Sequence, residues 1–519
     1  MRTRTTLAAA ALLAAGALIG LLAASDRAAE KVHAQDKAPE KALAGGTPAH
    51  WDELAKLPLP NGYPSEESRI RLMDELLFHR AVEVYLGALP VVNMIAMRDG
   101  SEAKFGGGYN VLPVWKKRMD AKCLVTTPNA DVIYAMSYLD LKKDGPLVVA
   151  APPAIQGMLT DFWQRALTDV GFAGPDKGQG GLYLLLPPDY EGAIPNGYHT
   201  FRSPTYSVFL FWRAMLTKGP GGPDTKAGVE AIERTLIYPL RENSPDRWRK
   251  MQFPDASGVA LNMMYPRDAR FYDLLARFVD SEPVEATDMY LRGMMATLGI
   301  VKGKPFKPDA RTRQILDKAA AVAPRMAGAL SVTPEALPDR QYYTRDVKRR
   351  WVNAYAGVDD KFFSSTYLNL DARSVFFLVA YSSSPGMAAN MVGTGAKYPF
   401  TFQDAEGEFL TGERSYRLHL PPNPPAQLFW AVTIYSPLDV TMIDNGQPYP
   451  SINSMNKIEK NADESYDIYF GPELPAGKPA SNWIKTNPGQ GYIAALRLYG
   501  PEKAFFEQTW IPDDVVRMK

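Results

Sequence analysis

The run Val132-Ile133-Tyr134-Ala135-Met136 is the stretch of sequence that decides the fold. It is short, apolar and rich in β-branched and aromatic residues, which is typical of a buried β-strand. Similar runs follow at Leu147–Ala150, Gly181–Leu185 and Ser207–Phe211, and turn-forming sequences such as Lys142–Gly145 separate them. Because no helical pattern lies between the runs, they predict a mainly antiparallel sandwich or jelly roll.

The last third of the chain again consists of short strand-like runs separated by turn residues. Apolar and polar residues alternate along Tyr416–Leu420 and again along Tyr466–Phe470, as on half-buried strands. The sequences Asp404–Gly407 and Asp444–Gly446 are typical of hairpin turns. A second antiparallel β-region is therefore predicted.

Between the two β-regions the apolar residues take the spacing of helices. Phe271, Leu274, Leu275 and Phe278 follow the i, i+3, i+4, i+7 pattern, and a stripe containing methionines repeats that spacing over Leu291–Leu298. The methionine stripe is typical of core packing rather than of a metal site. Two further helices are predicted, over Asp309–Ala323 and Tyr343–Tyr355.

These patterns predict an α+β fold that is mainly β with helical insertions: two antiparallel β-sandwich or jelly-roll-like domains joined by a helical connector. The N-terminal domain opens with a helix that Ser65 can cap. The predicted divisions are a signal peptide at 1–25, a flexible tether at 26–64, a helix plus β-sandwich domain at 65–220, the helical connector at 221–357 and a C-terminal β-sandwich domain at 358–519.

The first two dozen residues predict export. Two arginines precede the uncharged run Leu7–Ala24, and the small residues Ala23 and Ser25 form a cleavage site just before Asp26. The mature protein is therefore expected to begin near Asp26, to be periplasmic or secreted, and to have no membrane attachment after cleavage. An uncleaved anchor is the alternative, because the run is nearly long enough to span a bilayer.

Composition limits the classes of partner and cofactor. The chain has 58 Lys and Arg residues against 57 Asp and Glu, with no basic stripe, so no nucleic-acid partner is expected. Cys123 is the single cysteine and lies in an apolar run, which predicts a buried, inert thiol. The five histidines lack zinc-site spacing, so no metal site and no cofactor are predicted. Asp359-Asp360 and Asp444-Asn445 leave a divalent cation open, although neither has EF-hand spacing. The oligomeric state, including a homo-oligomer, also stays open.

Two series of longer motifs run through the chain. The first consists of Thr127–Tyr134, Asp161–Trp163, Asp169–Gly171 and Phe211–Arg213. The second consists of Asn369–Arg373, Pro385–Met387, Gly393–Tyr398, Leu420–Ala426, Asp467–Pro472 and Arg497–Pro501. The first series resembles the domain of unknown function numbered 1254, and the second resembles its usual companion, numbered 1214, in an exported bacterial family. The resemblance covers most of the mature chain and implies a β-rich fold, but it carries no catalytic residue.

The densest cluster of polar residues lies in the first β-region. Asp131 and Asp161 are candidate catalytic acid and base, with Tyr134 as a third catalytic candidate. The candidate ligand-binding residues around them are Asn129, Trp163, Asp169 and Arg213. Strand alternation assigns Tyr134 to the core and Asp131 to the opposite face, where a ligand can reach it. The alternative is structural, with Asn129 and Asp131 forming side-chain turns and Trp163 filling the core.

In the second β-region the candidate ligand-binding residues are Lys397, Tyr398, Arg417 and Arg497. The two arginines are suited to gripping a carboxylate or phosphate. The alternative is that they form structural ion pairs with Asp467 and Asp404.

Two functions remain open from these residues. The first is a periplasmic hydrolase or lyase that acts on a small organic or glycan substrate through carboxylate and tyrosine acid–base chemistry. The alternative is a non-catalytic periplasmic protein that binds a glycan or another small molecule. Two carboxylates that face each other across a cleft at about 5–10 Å would favour hydrolysis. An aromatic site without paired acids would favour binding.

Overall fold

The structure, a computed structural model, describes residues 49–242, 245–333, 335–343, 347–355 and 359–519. The predicted signal peptide and residues 26–48 of the expected tether lie outside the described residues. The chain divides into two compact units, Met1–Ser68 and Arg69–Lys519. All of the strands and the candidate site belong to the second unit.

The helices contribute both to the core and to the connections between strands. In chain order they are α1 (Ala49–Ala55), α2 (Glu66–Phe105), α3 (Leu141–Asp144), α4 (Lys226–Ile232), α5 (Arg270–Ser281), α6 (Met289–Thr297), α7 (Ala310–Ser331), α8 (Leu370–Val379), α9 (Pro385–Ala388) and α10 (Lys503–Phe506). The start of α2 agrees with the prediction, since the Ser68 amide donates to Ser65 Oγ at 3.1 Å. Of the described helices, α2 is long and apolar enough to cross a membrane, but 72% of its apolar window is buried inside the protein, as in a core helix.

The predicted helices of the middle segment are mostly present. α5 buries Phe271 and Phe278 on its predicted apolar face, and α7 begins where Asp309 accepts a hydrogen bond from the Thr312 amide at 2.7 Å. The helix predicted over Tyr343–Tyr355 is wrong within the described residues of that range. There, Val352 forms a β-bridge with Phe400, and its N–H and C=O are both engaged across the bridge.

The strands fall into an N-terminal and a C-terminal group. The first group is β1 (Cys123–Leu124), β2 (Val132–Asp140), β3 (Leu147–Ala151), β4 (Gln156–Asp161), β5 (Ala166–Val170), β6 (Gly181–Leu186), β7 (His199–Arg202), β8 (Ser207–Met215), β9 (Thr217–Gly219), β10 (Gly222–Asp224), β11 (Leu236–Pro239) and β12 (Leu261–Asn262). The second group is β13 (Ala396–Lys397), β14 (Phe400–Thr401), β15 (Tyr416–Leu420), β16 (Ala426–Tyr435), β17 (Ser451–Asn453), β18 (Tyr466–Gly471), β19 (Trp483–Lys485), β20 (Ile493–Pro501) and β21 (Val516–Arg517).

Two four-stranded sheets form the N-terminal sandwich. One has the order β2-β8-β4-β5 and the other β11-β3-β6-β7. Side chains of both sheets, such as Leu139 and Leu210 in the first and Val149 and Leu185 in the second, belong to one buried core. Most neighbouring strands are antiparallel, which agrees with the prediction; β6 and β7 are a parallel pair.

The C-terminal sandwich pairs the sheet β13-β20-β16-β17, with β14 also on β20, and the sheet β19-β18-β15-β21. Its core takes alternate residues of β16 and β20, for example Val432 and Leu496. The residues between them, including Phe429, Ala495 and Tyr499, belong instead to the core of the N-terminal sandwich. The sheet that contains β16 and β20 is therefore buried on both faces.

Together the sheets and helices confirm the predicted α+β fold, which is made mainly of sheets.

Candidate functional site

A cavity of about 480 Å³ lies between the N-terminal sandwich and the sheet that contains β16 and β20, on the face of that sheet that contributes to the N-terminal core. Residues of β2, β4, β5 and β8 line one side, and residues of β13, β20, α8 and α9 line the other. This volume lies within the range of about 300–1,000 Å³ that is usual for small-molecule sites. Residues from the two halves of the sequence thus line one cavity.

Arg213 stands at the centre of the wall that the N-terminal sandwich provides. In the sheet it pairs with Tyr134 on β2 and with Gln156 on β4, so the three residues form one row across neighbouring strands. Arg213 Nη1 donates to the Tyr398 hydroxyl at 3.0 Å, and Nη2 donates to Gln156 Oε1 at 2.8 Å. No described carboxylate lies within ion-pair distance of this guanidinium.

Arg497 on β20 occupies the opposite wall and is only 4% exposed. Its Nη2 donates to the Tyr435 hydroxyl, and its guanidinium lies over the rings of Tyr398 and Tyr435 at 5.3 and 5.4 Å. Within the described part of the chain, its Nε and Nη1 have no hydrogen-bond partner. By contrast Arg340, which is equally buried, donates to the backbone carbonyls of Ser331 and Asn353.

The two arginines give the cavity wall two positive charges. Both contact Tyr398, Arg213 through the hydroxyl and Arg497 through the ring. A buried cation without a charged partner is costly, and unpaired buried N–H donors add to that cost. An anion in the cavity would compensate the charge of these two guanidinium groups.

Tyr134 is a neutral hydrogen-bond donor beside this pair. Burial raises its pKa to about 12, although the nearby Arg213 and Arg497 act in the opposite direction. Its ring packs against Phe211 with the two centroids 4.8 Å apart. Tyr134 thus offers the cavity a proton rather than a base at neutral pH.

Lys397 supplies a third cation. Its Nζ donates to the carbonyl oxygens of Met387 and Ala388, at 3.5 and 3.2 Å, at the end of α9. Burial lowers the pKa of Lys397 from 10.5 to about 8. Its charge therefore changes close to neutral pH.

Asp169 on β5 is the one carboxylate among the described residues that line the cavity. Burial raises its pKa, partly offset by hydrogen bonds from Ser384 and from the Gly386 amide, which donates to Oδ2 at 2.8 Å. Residue 386 must be glycine for this contact, because a Cβ there would lie 2.8 Å from Asp169 Oδ1. The carboxylate is thus held against the start of α9.

Asn129 and Asp131 connect the two sandwiches. Asn129 lines the cavity and donates from Nδ2 to the Tyr499 hydroxyl at 2.8 Å. Asp131 is fully buried outside the cavity lining, where it accepts hydrogen bonds from Ser451 Oγ and Asn453 Nδ2, both at 3.0 Å. Since β2 begins only at Val132, Asp131 lies in the preceding turn and strand alternation does not apply to it.

Three other candidate residues lie away from the cavity lining. Asp161 is fully buried and pairs with Arg165, whose Nε donates to Oδ2 at 2.6 Å. Trp163 packs edge-on against Phe278 at 6.0 Å. Arg417 on β15 is 46% exposed, 3.8 Å from Asp467. The structure therefore gathers seven predicted residues at the cavity: Asn129, Tyr134, Asp169, Arg213, Lys397, Tyr398 and Arg497.

Several residues of the site were missed in the sequence. Gln156 accepts from Arg213, Tyr435 accepts from Arg497, and Tyr499 bonds to Asn129. Strand alternation would have found Tyr499, because it lies two positions after Arg497 on β20 and so faces the same side. Gln156 gives no comparable signal, since only the pairing of β4 with β8 brings it beside Arg213.

The described residues contain no group of three His, Cys, Asp or Glu side chains arranged to hold a metal ion. Of the oxygen-rich pairs, Asp359 accepts from the Lys361 and Phe363 amides at 3.0 and 2.8 Å, as an Asx turn does. Asp444 accepts from the Gly446 amide at 3.4 Å.

Comparison with known proteins identifies two sequence families. Residues 109–239 match the family described as Protein of unknown function (DUF1254), and residues 395–503 match Protein of unknown function (DUF1214), so the predicted resemblance and its order are confirmed. No curated protein matches the chain.

Two crystal structures are similar to this chain. A Vibrio parahaemolyticus protein superposes with a TM-score of 0.50 and 17% identity, covering 85% of this chain and 100% of its own. An uncharacterised Burkholderia cenocepacia protein gives a TM-score of 0.38 and 11% identity, over 86% of this chain and 95% of its own. The Vibrio protein shares the fold, and neither likeness carries an activity.

Proposed function

We propose that this protein binds a small organic anion in the cavity between its sandwiches, and that it does so in the periplasm after signal cleavage. The observation that carries the proposal is Arg497. Its guanidinium is almost fully buried at the cavity wall, and two of its three nitrogens have no partner among the described residues. A bound anion would compensate this charge, whereas a neutral glycan would leave it unpaired.

The rest of the wall suits the organic body of such a ligand. The apolar and aromatic residues that line the cavity include Met158, Phe172, Phe211, Tyr355, Phe376, Tyr381 and Phe400. A mainly apolar lining with a few placed polar groups is the usual composition of a small-molecule site. A carboxylic acid that carries a ring or an alkyl chain fits this combination.

The cavity lining favours binding over a hydrolytic mechanism that uses two paired carboxylates. That mechanism needs two acids that face each other across the substrate. Asp169 is the one acid among the described lining residues, and Asp131 and Asp161 are both engaged elsewhere in hydrogen bonds.

A calorimetric titration tests the proposal with p-toluate and terephthalate as probes. We expect both probes to bind the wild-type protein and the Arg417→Gln control, which changes an exposed arginine of β15. Arg497→Met should lose binding. Bromide soaked into crystals should also locate beside Arg497 through its anomalous scattering. Equal affinities in all three proteins, or no carboxylate binding together with no bromide at Arg497, would overturn the proposal.

A second candidate, hydrolase or lyase activity on the same class of ligand, is favoured by Tyr134. This protonated phenol lies in the row that contains Arg213, so a proton donor stands beside the anion site. Hydrolysis of monomethyl terephthalate by the purified protein tests the idea. Tyr134→Phe should abolish turnover and leave terephthalate affinity within a few-fold of wild type. If the wild-type protein shows no turnover, this second candidate fails and binding remains the proposed function.

A further inference from the structure

We propose that the ligand is an organic dianion, with one anionic group held by Arg213 and Arg497 and a second held by Lys397. This inference rests on the proposed function and specifies its ligand class. Three buried or half-buried cations lie around one cavity.

The arginines form one cationic pole. Tyr398 holds them together, since its hydroxyl accepts from Arg213 Nη1 at 3.0 Å while its ring lies 5.3 Å from the Arg497 guanidinium carbon. Neither arginine has a described carboxylate within ion-pair distance, and Arg497 keeps two unpartnered nitrogens. One carboxylate of the ligand would compensate the charge of this pole.

Lys397 forms the second pole. Its ammonium carries three N–H donors, and the carbonyl oxygens of Met387 and Ala388 accept two of them. Both acceptors are neutral, and no described carboxylate lies within 4.0 Å of Nζ. The ammonium therefore lines the cavity with one donor and its charge still available to a ligand.

The balance of charge favours two negative groups. Arg213, Arg497 and Lys397 are the cations of the described lining, and Asp169 is its carboxylate. Asp131 is a further buried carboxylate outside the lining, where it accepts hydrogen bonds from the neutral Ser451, Asn453 and Thr433. Among the lining groups themselves the net charge is +2, which a dianion would balance and a monoanion would balance only in part.

Affinity for a dianion should depend on pH through Lys397. The ammonium is charged below its pKa, which burial lowers to about 8, so dianion affinity should fall between about pH 7 and about pH 9. The other titratable and charged groups that line the cavity are Tyr134, Asp169, Arg213, Tyr342, Tyr355, Tyr381, Tyr398 and Arg497. Burial raises the pKa values of Tyr134, Tyr355 and Tyr381, so these phenols stay neutral over this interval. Asp169→Asn tests whether that carboxylate contributes to the pH dependence of dianion affinity.

The experiment compares ligands that differ by one carboxylate. Terephthalate is titrated against p-toluate, and adipate against hexanoate, by calorimetry at about pH 7 and about pH 9. At the lower pH the dianion of each pair should bind about tenfold to a hundredfold more tightly, the usual effect of one charged hydrogen bond. At the higher pH this preference should shrink, while the monoanions should keep their affinity.

Substitutions assign the preference to Lys397. Lys397→Met should remove both the preference for dianions and its pH dependence, and Lys397→Arg should retain the preference at about pH 9 because arginine stays charged there. Lys460→Met, which changes an exposed lysine paired with Glu464, is the control and should behave as wild type. Circular dichroism melting verifies that each variant is folded.

The outcomes separate this inference from the proposed function. If p-toluate binds as tightly as terephthalate and both depend on Arg497, the anion site stands and the second pole is overturned. If the preference persists unchanged in Lys397→Met, Lys397 is not that pole and the inference fails. If no carboxylate binds, both proposals fail.

Discussion

Replacing Arg497 with methionine should change ligand affinity strongly and stability hardly at all. Methionine keeps an unbranched chain of similar reach and removes the guanidinium. The change removes two buried nitrogens that have no hydrogen-bond partner, and the burial of each costs about 1–3 kcal/mol of stability. It also removes the hydrogen bond to Tyr435, worth about 1.5–3 kcal/mol, and two cation–π contacts worth roughly 0.5–1 kcal/mol each. These contributions nearly cancel, so we expect the free energy of unfolding to change by no more than about 1 kcal/mol.

Arg340→Met is the matched control for this prediction. Arg340 is as buried as Arg497, but its donors are bonded to the carbonyl oxygens of Asn353 and Ser331. Its removal leaves those carbonyl oxygens without this donor and should cost about 1.5–3 kcal/mol for each hydrogen bond to the charged group. Urea unfolding of the two variants and the wild type, without ligand, gives the comparison.

Ligand affinity completes the test of Arg497. Loss of one charged interaction with the carboxylate, worth about 1.5–3 kcal/mol, should weaken carboxylate binding by about one to two orders of magnitude. The reasoning is refuted if Arg497→Met unfolds as easily as Arg340→Met while folded molecules still bind p-toluate normally. In that case the guanidinium would be a structural group that the protein already satisfies.

Three further outcomes are expected. Asp131→Asn should lower the free energy of unfolding by about 1–3 kcal/mol in urea, because one hydrogen bond from Ser451 or Asn453 is lost; an unchanged midpoint would count against a structural role. Cys123 should react slowly with a maleimide until the protein unfolds, since burial raises the pKa of its thiol; rapid labelling of the native protein would contradict this. Protein recovered from a periplasmic extract should begin near Asp26 by N-terminal sequencing, whereas an intact Met1 in the membrane fraction would indicate an anchor.

The strands were predictable because burial imposes a short-range pattern. The runs that begin at Val132, Leu147, Gly181 and Ser207 all lie in strands of the structure, since alternating or continuous apolar residues are the direct trace of a sheet face. The segment around Val352 was not predictable in this way. Its bridge to Phe400 depends on a partner that local spacing cannot identify.

The candidate site was predictable as residue types but not as an arrangement. Arg213 and Arg497 stand out as polar residues on otherwise apolar strands, yet only the packing of two sandwiches places them around Tyr398. Asp161 is also a polar residue at an apolar strand, but Arg165, four residues later, forms a salt bridge with its carboxylate. Whether a buried charge is free for a ligand depends on its partners in space, which the order of residues does not show.

The division of the cavity wall also bears on how such genes can evolve. Tyr134 and Arg213 belong to the matched segment 109–239, while Lys397 and Arg497 belong to the segment 395–503. Neither segment contains the whole cavity wall, so a recombination event that exchanged one of them with a distant relative would preserve both sandwiches and separate residues that now line one cavity. If the cavity binds the proposed anion, selection should keep the two segments together and make substitutions at Arg213 and Arg497 covary with those at Tyr398.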